Sequence, residues 1–141
     1  MLKKILKKEK KNNPDSNVLI VALLIHAAKI DENYTEVEKK IILKAIMDLN
    51  KFSLDKAEQI LKNAEKKEEE SNQIIEFTRA IKKYPIEFRI KIIEIIWKIV
   101  YSDGTNDIYE SGLIRRICGL LYVSDKDSGI IKTKIINQLE Y

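Results

Sequence analysis

Acidic residues recur at matching places in the two halves of the sequence, and they are its strongest candidates for chemistry. Asp31 is followed by Glu38 seven residues later, and Asp103 is followed by Glu110 at the same spacing. Asp107 adds a third carboxylate to the second copy. Carboxylate oxygens are the ligands that hard cations such as Ca²⁺ and Mg²⁺ prefer. The pattern therefore predicts that these five acids are ligands for a divalent cation, bound more strongly at the second copy.

The same acids also fit a structural role. Thr35 and Glu38 have the spacing of a capping box, in which the Glu side chain reaches back to the Thr backbone N–H. Asp107 and Glu110 are a close analogue, and the two loop aspartates can bind backbone amides. An EF-hand is excluded, because isoleucine stands where its loop needs a bidentate Glu. Helix capping and metal binding both remain open at this stage.

Other residue types offer little for catalysis. His26 is the only histidine and Cys118 the only cysteine, so neither can belong to a cluster of its kind. We expect His26 to be partly exposed, and Cys118 to be a buried, inert thiol. The alternative for Cys118 is a reactive thiol activated by Arg115 and Arg116, one turn earlier. No nucleophile–base pattern, P-loop or dinucleotide motif occurs, so we predict no catalytic residues, no organic cofactor and no enzymatic activity.

The composition indicates a soluble all-α protein with one domain. The chain has 141 residues, of which 45% are hydrophobic and 34% charged, with only four Gly and two Pro. A core of useful size is possible at this length, whereas turn residues are too few for a β fold. We assign 1–13 as a basic N-terminal tail and 14–141 as a single helical domain. The single cysteine excludes an intramolecular disulfide and fits a reducing compartment.

The positive charge is concentrated in the tail. Residues 1–11 contain six lysines and one acid, a net charge of +5, which leaves −1 of the total of +4 for the rest of the chain. Because the body carries no excess of its own, we expect no nucleic-acid partner. Leu2, Ile5 and Leu6 share one face of a helical tail, so residues 1–11 are the candidate contact with an anionic membrane. The alternative is a solvated or docked terminus.

Capping and proline signals predict seven helices after the tail. The first and the fifth are apolar over most of their circumference, which is typical of helices at the centre of a domain. The exception on the fifth is a narrow polar stripe that ends at Lys98. The predicted helix starts are Asp15 or Ser16, Thr35, Ser53, Ser71, Pro85, Asp107 and Ser124.

The two apolar helices also begin two diverged copies of one helix–loop–helix unit. A shift of 72 residues carries Asp31 onto Asp103 and Glu38 onto Glu110. The repeat halves are about 15–70 and 85–141. We predict that a pseudo-twofold rotation relates them and that the two apolar helices pack against each other.

The motif 99–104, which reads IVYSDG and is followed by Glu110, resembles the tellurite-resistance TerB-like family. Its diverged partner is the segment 27–31 with Glu38, and the segment 85–89 before the second copy is also similar to that family. The resemblance covers roughly 16–135. It implies an all-α domain of about seven helices, a role in bacterial stress response often near membranes, and acidic residues suspected of binding metal.

The leading functional hypothesis is therefore a non-enzymatic, TerB-like stress-response module that binds other proteins, and a divalent cation through its paired acidic loops. Its expected location is the cytoplasm, with peripheral contact at the inner membrane. The alternative is an adaptor or regulatory domain of a membrane-associated co-chaperone system.

Overall fold

The computed structural model describes residues 16–30, 34–71, 73–102 and 108–139, without the side chains of 108–111 and 139. All regular structure in these ranges is helical, which confirms the all-α prediction, and the helices number seven, as predicted. In chain order they are α1 (Ser16–Ala28), α2 (Glu36–Asn50), α3 (Leu54–Glu70), α4 (Ile75–Lys82), α5 (Ile86–Val100), α6 (Ile108–Leu120) and α7 (Asp125–Leu139).

Helices α1 and α5 lie at the centre and contact each other, as their apolar composition predicted. Helix α1 contacts α2, α3, α4, α5 and α6, while α5 contacts α1, α2, α6 and α7. Leu23, Leu24 and Ile25 of α1 are completely buried, and so are Ile92, Ile93 and Ile96 of α5. Burial of many branched side chains on these two helices supplies a large share of the apolar driving force for folding.

The two predicted copies make corresponding contacts. Helix α1 contacts α2 and α3, and α5 contacts α6 and α7. A duplicated unit would produce this correspondence. That a near-twofold rotation relates the copies, and that 14–141 is one domain after a tail at 1–13, stay predictions.

Local capping sets several of the helix starts. The Ser53 side chain accepts a hydrogen bond from the backbone N–H of Lys56 at the start of α3, and Ser124 accepts one from Asp127 at the start of α7. Pro85 immediately precedes α5, where its missing N–H has no intrahelical partner to lose. These starts agree with the sequence. Helix α1 begins at Ser16, one of the two predicted starts of the first helix, whereas the alternative Asp15 and the predicted start of the sixth helix, Asp107, lie outside the described residues.

The predicted cap of the fourth helix is wrong. Ser71 ends α3 instead: its N–H donates to the carbonyl of Glu68. Helix α4 begins at Ile75 with no side-chain cap. Ile74, Phe77 and Ile81 are buried at helical spacing, and α4 packs on α1. Burial of this apolar face, rather than a capping serine, fixes where the helix begins.

Candidate functional site

Glu38 forms the capping box predicted for it. The backbone N–H of Thr35 donates to Glu38 Oε1 at 2.8 Å, and the backbone N–H of Glu38 donates to Thr35 Oγ1 at 3.2 Å. The Glu38 side chain is buried, with only 7% of the residue exposed. The reciprocal bonds satisfy two of the backbone donors that have no intrahelical partner at a helix start. The structural role of Glu38 is therefore confirmed.

Tyr34 lies beside this box in a strongly acidic setting. Its hydroxyl oxygen is buried and makes no hydrogen bond of good geometry within the described structure. Desolvation, followed by the nearby carboxylates of Glu65, Glu38 and Glu36, raises the pKa of Tyr34 well above its ordinary value. Its ring is the neighbour of the Lys39 ammonium, whose Nζ lies 5.1 Å from the ring centroid. The phenol therefore stays protonated and acts as a neutral packing group.

His26 is partly exposed, as predicted, and both its imidazole and the Lys29 ammonium contact the carboxylate of Glu68. Its Nδ1 lies 3.3 Å from Glu68 Oε1, while Lys29 Nζ lies 2.9 Å from Glu68 Oε2. The carboxylate of Glu68 is 11% exposed, whereas the two partner side chains are about one-third exposed. The Glu68 pairs connect the last turn of α3 to the C-terminal end of α1.

The metal hypothesis depends mainly on residues outside the described structure. Asp31, Asp103 and Asp107 lie outside the described residues, as does the side chain of Glu110. Within the described ranges, no group of three or more His, Cys, Asp or Glu side chains is placed to hold a metal ion. In the first copy the structure describes only Glu38 of the two predicted ligands, and its Oε1 accepts a backbone hydrogen bond. Metal binding by the five acids stays a prediction.

Cys118 is buried, as expected. Only 1% of the residue is exposed. Burial raises the pKa of the Cys118 thiol, with a smaller raising effect from Asp125 and an opposing hydrogen bond from Ser128. Burial and the nearby Asp125 charge both raise the pKa and so disfavour the reactive thiolate. The indole Nε1–H of Trp97 donates to the same Ser128 hydroxyl at 3.2 Å, so this serine completes a polar contact inside the core.

A groove crosses the surface between α2 and α7, with α5 between them. It encloses about 560 Å³. Helix α5 contacts both flanking helices, and it contributes Lys91, Glu94 and Lys98 of its polar stripe to the groove. The lining side chains are Val37, Ile41, Lys44, Ala45, Asp48, Leu49, Lys91, Glu94, Ile95, Lys98, Ser102, Ile135 and Gln138.

The α2 wall of this groove is mainly apolar and its charged rim is only partly neutralised. Val37, on this wall, is an exposed aliphatic side chain, at 56%. Lys98 lies 3.7 Å from Glu94, one helical turn away. Lys44 and Lys91 form no ion pair with any described acid. The sequence signal for the groove is the polar stripe of α5, whose residues Lys91, Glu94 and Lys98 all line it.

In the ranges that the structure describes, no helix has both the length and the apolar character needed to cross a bilayer. The fold and the groove define a small all-α protein built around two buried central helices. A family model described as "Tellurite resistance protein TerB" matches residues 17–133. The chain therefore belongs to the TerB family, which confirms the resemblance seen in its acidic loop motifs. Neither a curated protein nor a solved structure matches the chain.

Proposed function

We propose that this TerB-family protein is a non-enzymatic stress-response protein of the tellurite-resistance type, which binds a segment of a partner protein in the groove between α2 and α7. The observation that carries the proposal is the partly apolar groove itself, with an aliphatic side chain as exposed as Val37 on its wall. Exposed apolar surface next to a concave site is typical of an interaction surface.

The chemistry of the groove suggests what its occupant looks like. Val37, Ile41 and Leu49 lie on one side of α2 and offer an apolar strip. Three lysines and the two acids Asp48 and Glu94 line the groove, a net charge of +1, and Lys44 and Lys91 form no ion pair with a described acid. An amphipathic helix with apolar anchors every three or four residues and acids beside them would satisfy both features. The occupant we propose is such a helix from another protein.

Site-specific photo-crosslinking tests this proposal in living cells. A photoreactive phenylalanine analogue replaces Val37 in the groove or, as the matched control, Leu54 at the start of α3. These side chains are similarly exposed, at 56% and 51%, but Leu54 does not line the groove. We expect a discrete cross-linked partner from position 37 and none from position 54. Equal labelling from both positions would show that the groove is not the binding surface.

Charge reversal then tests the partner that is captured. With the purified partner, Lys44→Glu and Lys91→Glu together should weaken binding at least tenfold, since two favourable charges become unfavourable. Lys62→Glu with Lys66→Glu on α3 makes the same change in net charge away from the groove. Unchanged affinity in the first pair would contradict the proposed acidic occupant. A captured chaperone would favour the co-chaperone adaptor alternative.

Divalent-cation binding forms the second part of the proposed function. It is supported by the acidic loop of the second copy, where Asp103, Asp107 and Glu110 follow one another closely and Gly104 allows the loop to adapt. A cation that binds only the folded protein raises its thermal midpoint. At a free cation concentration of one hundred times Kd, binding adds about 2.7 kcal/mol to the free energy of unfolding. Calorimetric titration of metal-free protein with Ca²⁺ or Mg²⁺ should show binding that Asp103→Asn abolishes. A midpoint unmoved by millimolar Ca²⁺ or Mg²⁺ would remove this part of the proposal.

The proposed location is the cytoplasm, with the tail at the inner face of the membrane. The support is the density of lysine in residues 1–11, because each cation near an anionic bilayer contributes about 1 kcal/mol. Replacing the six tail lysines by glutamine should weaken binding to vesicles that contain phosphatidylglycerol. Native protein that ignores such vesicles at low salt would contradict this location.

A further inference from the structure

Two segments far apart in the sequence carry cations and no acids. Residues 77–86 contain Arg79, Lys82 and Lys83, and residues 112–122 contain Arg115 and Arg116, while neither segment contains Asp or Glu. The first segment covers most of α4, and the second covers the C-terminal part of α6. Helices α4 and α6 contact each other in the fold. The two segments also meet where Lys82 lies against the ring of Tyr122, and we name the exposed surface that carries their five cations the α4–α6 basic surface.

Two specific contacts hold the edges of this surface together. The Lys82 ammonium lies 4.4 Å from the centroid of the Tyr122 ring, a favourable cation–π distance. The guanidinium of Arg89 donates to the backbone carbonyl of Leu121 at 2.7 Å. The ends of α4 and α6 and the start of α5 are thereby joined at one place.

The charge of this surface is not neutralised from within the described structure. All five cations are exposed, and none forms an ion pair with a described acid. Glu76, the acid that precedes the first segment, is engaged by Lys67 at 3.1 Å and by the Ser71 hydroxyl. A net charge of −1 for the body conceals a local concentration of positive charge.

Exposed apolar side chains lie among these charges. Tyr122 is 66% exposed, and its φ of 56° places it in the left-handed region just after α6. Ile86 is 37% exposed and begins α5, one turn before Arg89. A nucleic acid would need the cations but would gain little from an exposed isoleucine. A lipid headgroup layer rewards both, because aromatic rings and aliphatic groups enter its apolar boundary while cations meet the phosphates.

We infer that the α4–α6 basic surface docks this protein on anionic phospholipid, with Tyr122 and Ile86 facing the bilayer and the arginines facing phosphate oxygens. Arg is well suited to this task because its planar guanidinium can bind phosphate with two parallel hydrogen bonds. The inference deepens the proposed membrane contact, and it can fail while the tail alone still binds. Docking through this surface would then add affinity for the membrane. It would also fix the orientation of the groove between α2 and α7 relative to the bilayer.

Vesicle sedimentation with the full chain tests the inference. The probe is phosphatidylcholine vesicles with or without phosphatidylglycerol, at low and high salt. Arg115→Gln with Arg116→Gln should weaken binding to the mixed vesicles about 25-fold, at about fivefold per cation removed. Lys62→Gln with Lys66→Gln on α3 removes the same charge from exposed positions elsewhere and should change binding by much less. Equal losses in the two double variants would overturn the inference, because only net charge would then matter.

Further arms separate the tail, the body and other anions. A chain with its tail lysines replaced by glutamine should keep residual binding that the arginine pair still controls. If the tail variant loses all binding and the arginine variant loses none, the body surface is not a docking face. If native protein ignores mixed vesicles but binds duplex DNA through the same arginines, the surface recognises nucleic acid and the lipid inference is wrong.

A fluorescent side chain reports the orientation. Tyr122→Trp places an indole at the centre of the proposed contact, and Leu54→Trp places one at a similarly exposed control position. The natural Trp97 is 5% exposed and gives a constant background. Addition of mixed vesicles should shift the emission of the Tyr122→Trp protein to shorter wavelength and leave the Leu54→Trp protein unchanged. A shift in neither variant, or in both, would refute docking through this surface.

Discussion

Replacing Glu38 with glutamine distinguishes its capping role from its predicted role as a metal ligand. Glutamine has nearly the same shape, and its amide oxygen can still accept the 2.8 Å hydrogen bond from the Thr35 N–H. The substitution therefore preserves the capping box but removes the formal charge that a hard cation requires. Glu36→Gln is the matched control, since Glu36 occupies the same first turn with a side chain that is 83% exposed.

The expected loss in the free energy of unfolding depends on which hydrogen bonds and charges of the helix start each variant keeps. Both amide variants lose a negative charge near the helix N-terminus, worth about 0.3–1 kcal/mol. Glu38→Ala also leaves the Thr35 N–H without its acceptor, which costs roughly 1–3 kcal/mol for a partly buried donor. The predicted order of destabilisation is thus Glu36→Gln equal to Glu38→Gln, and Glu38→Ala largest.

Urea denaturation of the metal-free proteins measures these differences, and a calcium titration of the thermal midpoint measures the second role. We expect Glu38→Gln to retain the full calcium response of the native protein, because cation binding is proposed at the second copy. Destabilisation by Glu38→Gln as large as that by Glu38→Ala would show that the charge, not the hydrogen bond, stabilises the helix start. A lost calcium response with normal stability would restore Glu38 as a ligand.

Three further substitutions or measurements test the core. Ser128→Ala leaves the buried indole N–H of Trp97 without its partner and should cost about 1–3 kcal/mol in urea denaturation; a loss below half a kcal/mol would mean that another acceptor replaces it. The raised pKa of Cys118 should make thiol labelling of native protein slow at neutral pH and fast in urea. Because the unfolded thiol ionises first, stability should fall as pH rises above the ordinary thiol pKa, and rapid labelling of native protein would contradict its burial. Ile96→Ala in the fully buried centre should cost about 2–5 kcal/mol by calorimetry, whereas Ile130→Ala at 60% exposure should cost under about 0.5 kcal/mol; equal costs would refute the assigned core.

The sequence predicted the features that depend on local spacing. The capping box of Thr35 and Glu38 needs only residues three positions apart, so its pattern could be recognised without any tertiary information. The centrality of α1 and α5 followed from the width of their apolar faces. The burial of Cys118 followed from its apolar neighbours on one helix face.

Tertiary packing decided where local signals compete or where distant segments meet. Ser71 has a suitable side chain for starting a helix, yet burial of Ile74 against the core sets the start of α4 instead. The groove needs α2, α5 and α7 side by side, and the basic surface needs α4 beside α6. Charge counted along the chain cannot show such a surface, because electrostatic attraction depends on distance in space rather than on separation in sequence. The sequence therefore determined the helices and their buried faces. The groove and the α4–α6 basic surface form only when those faces pack and place distant helices side by side.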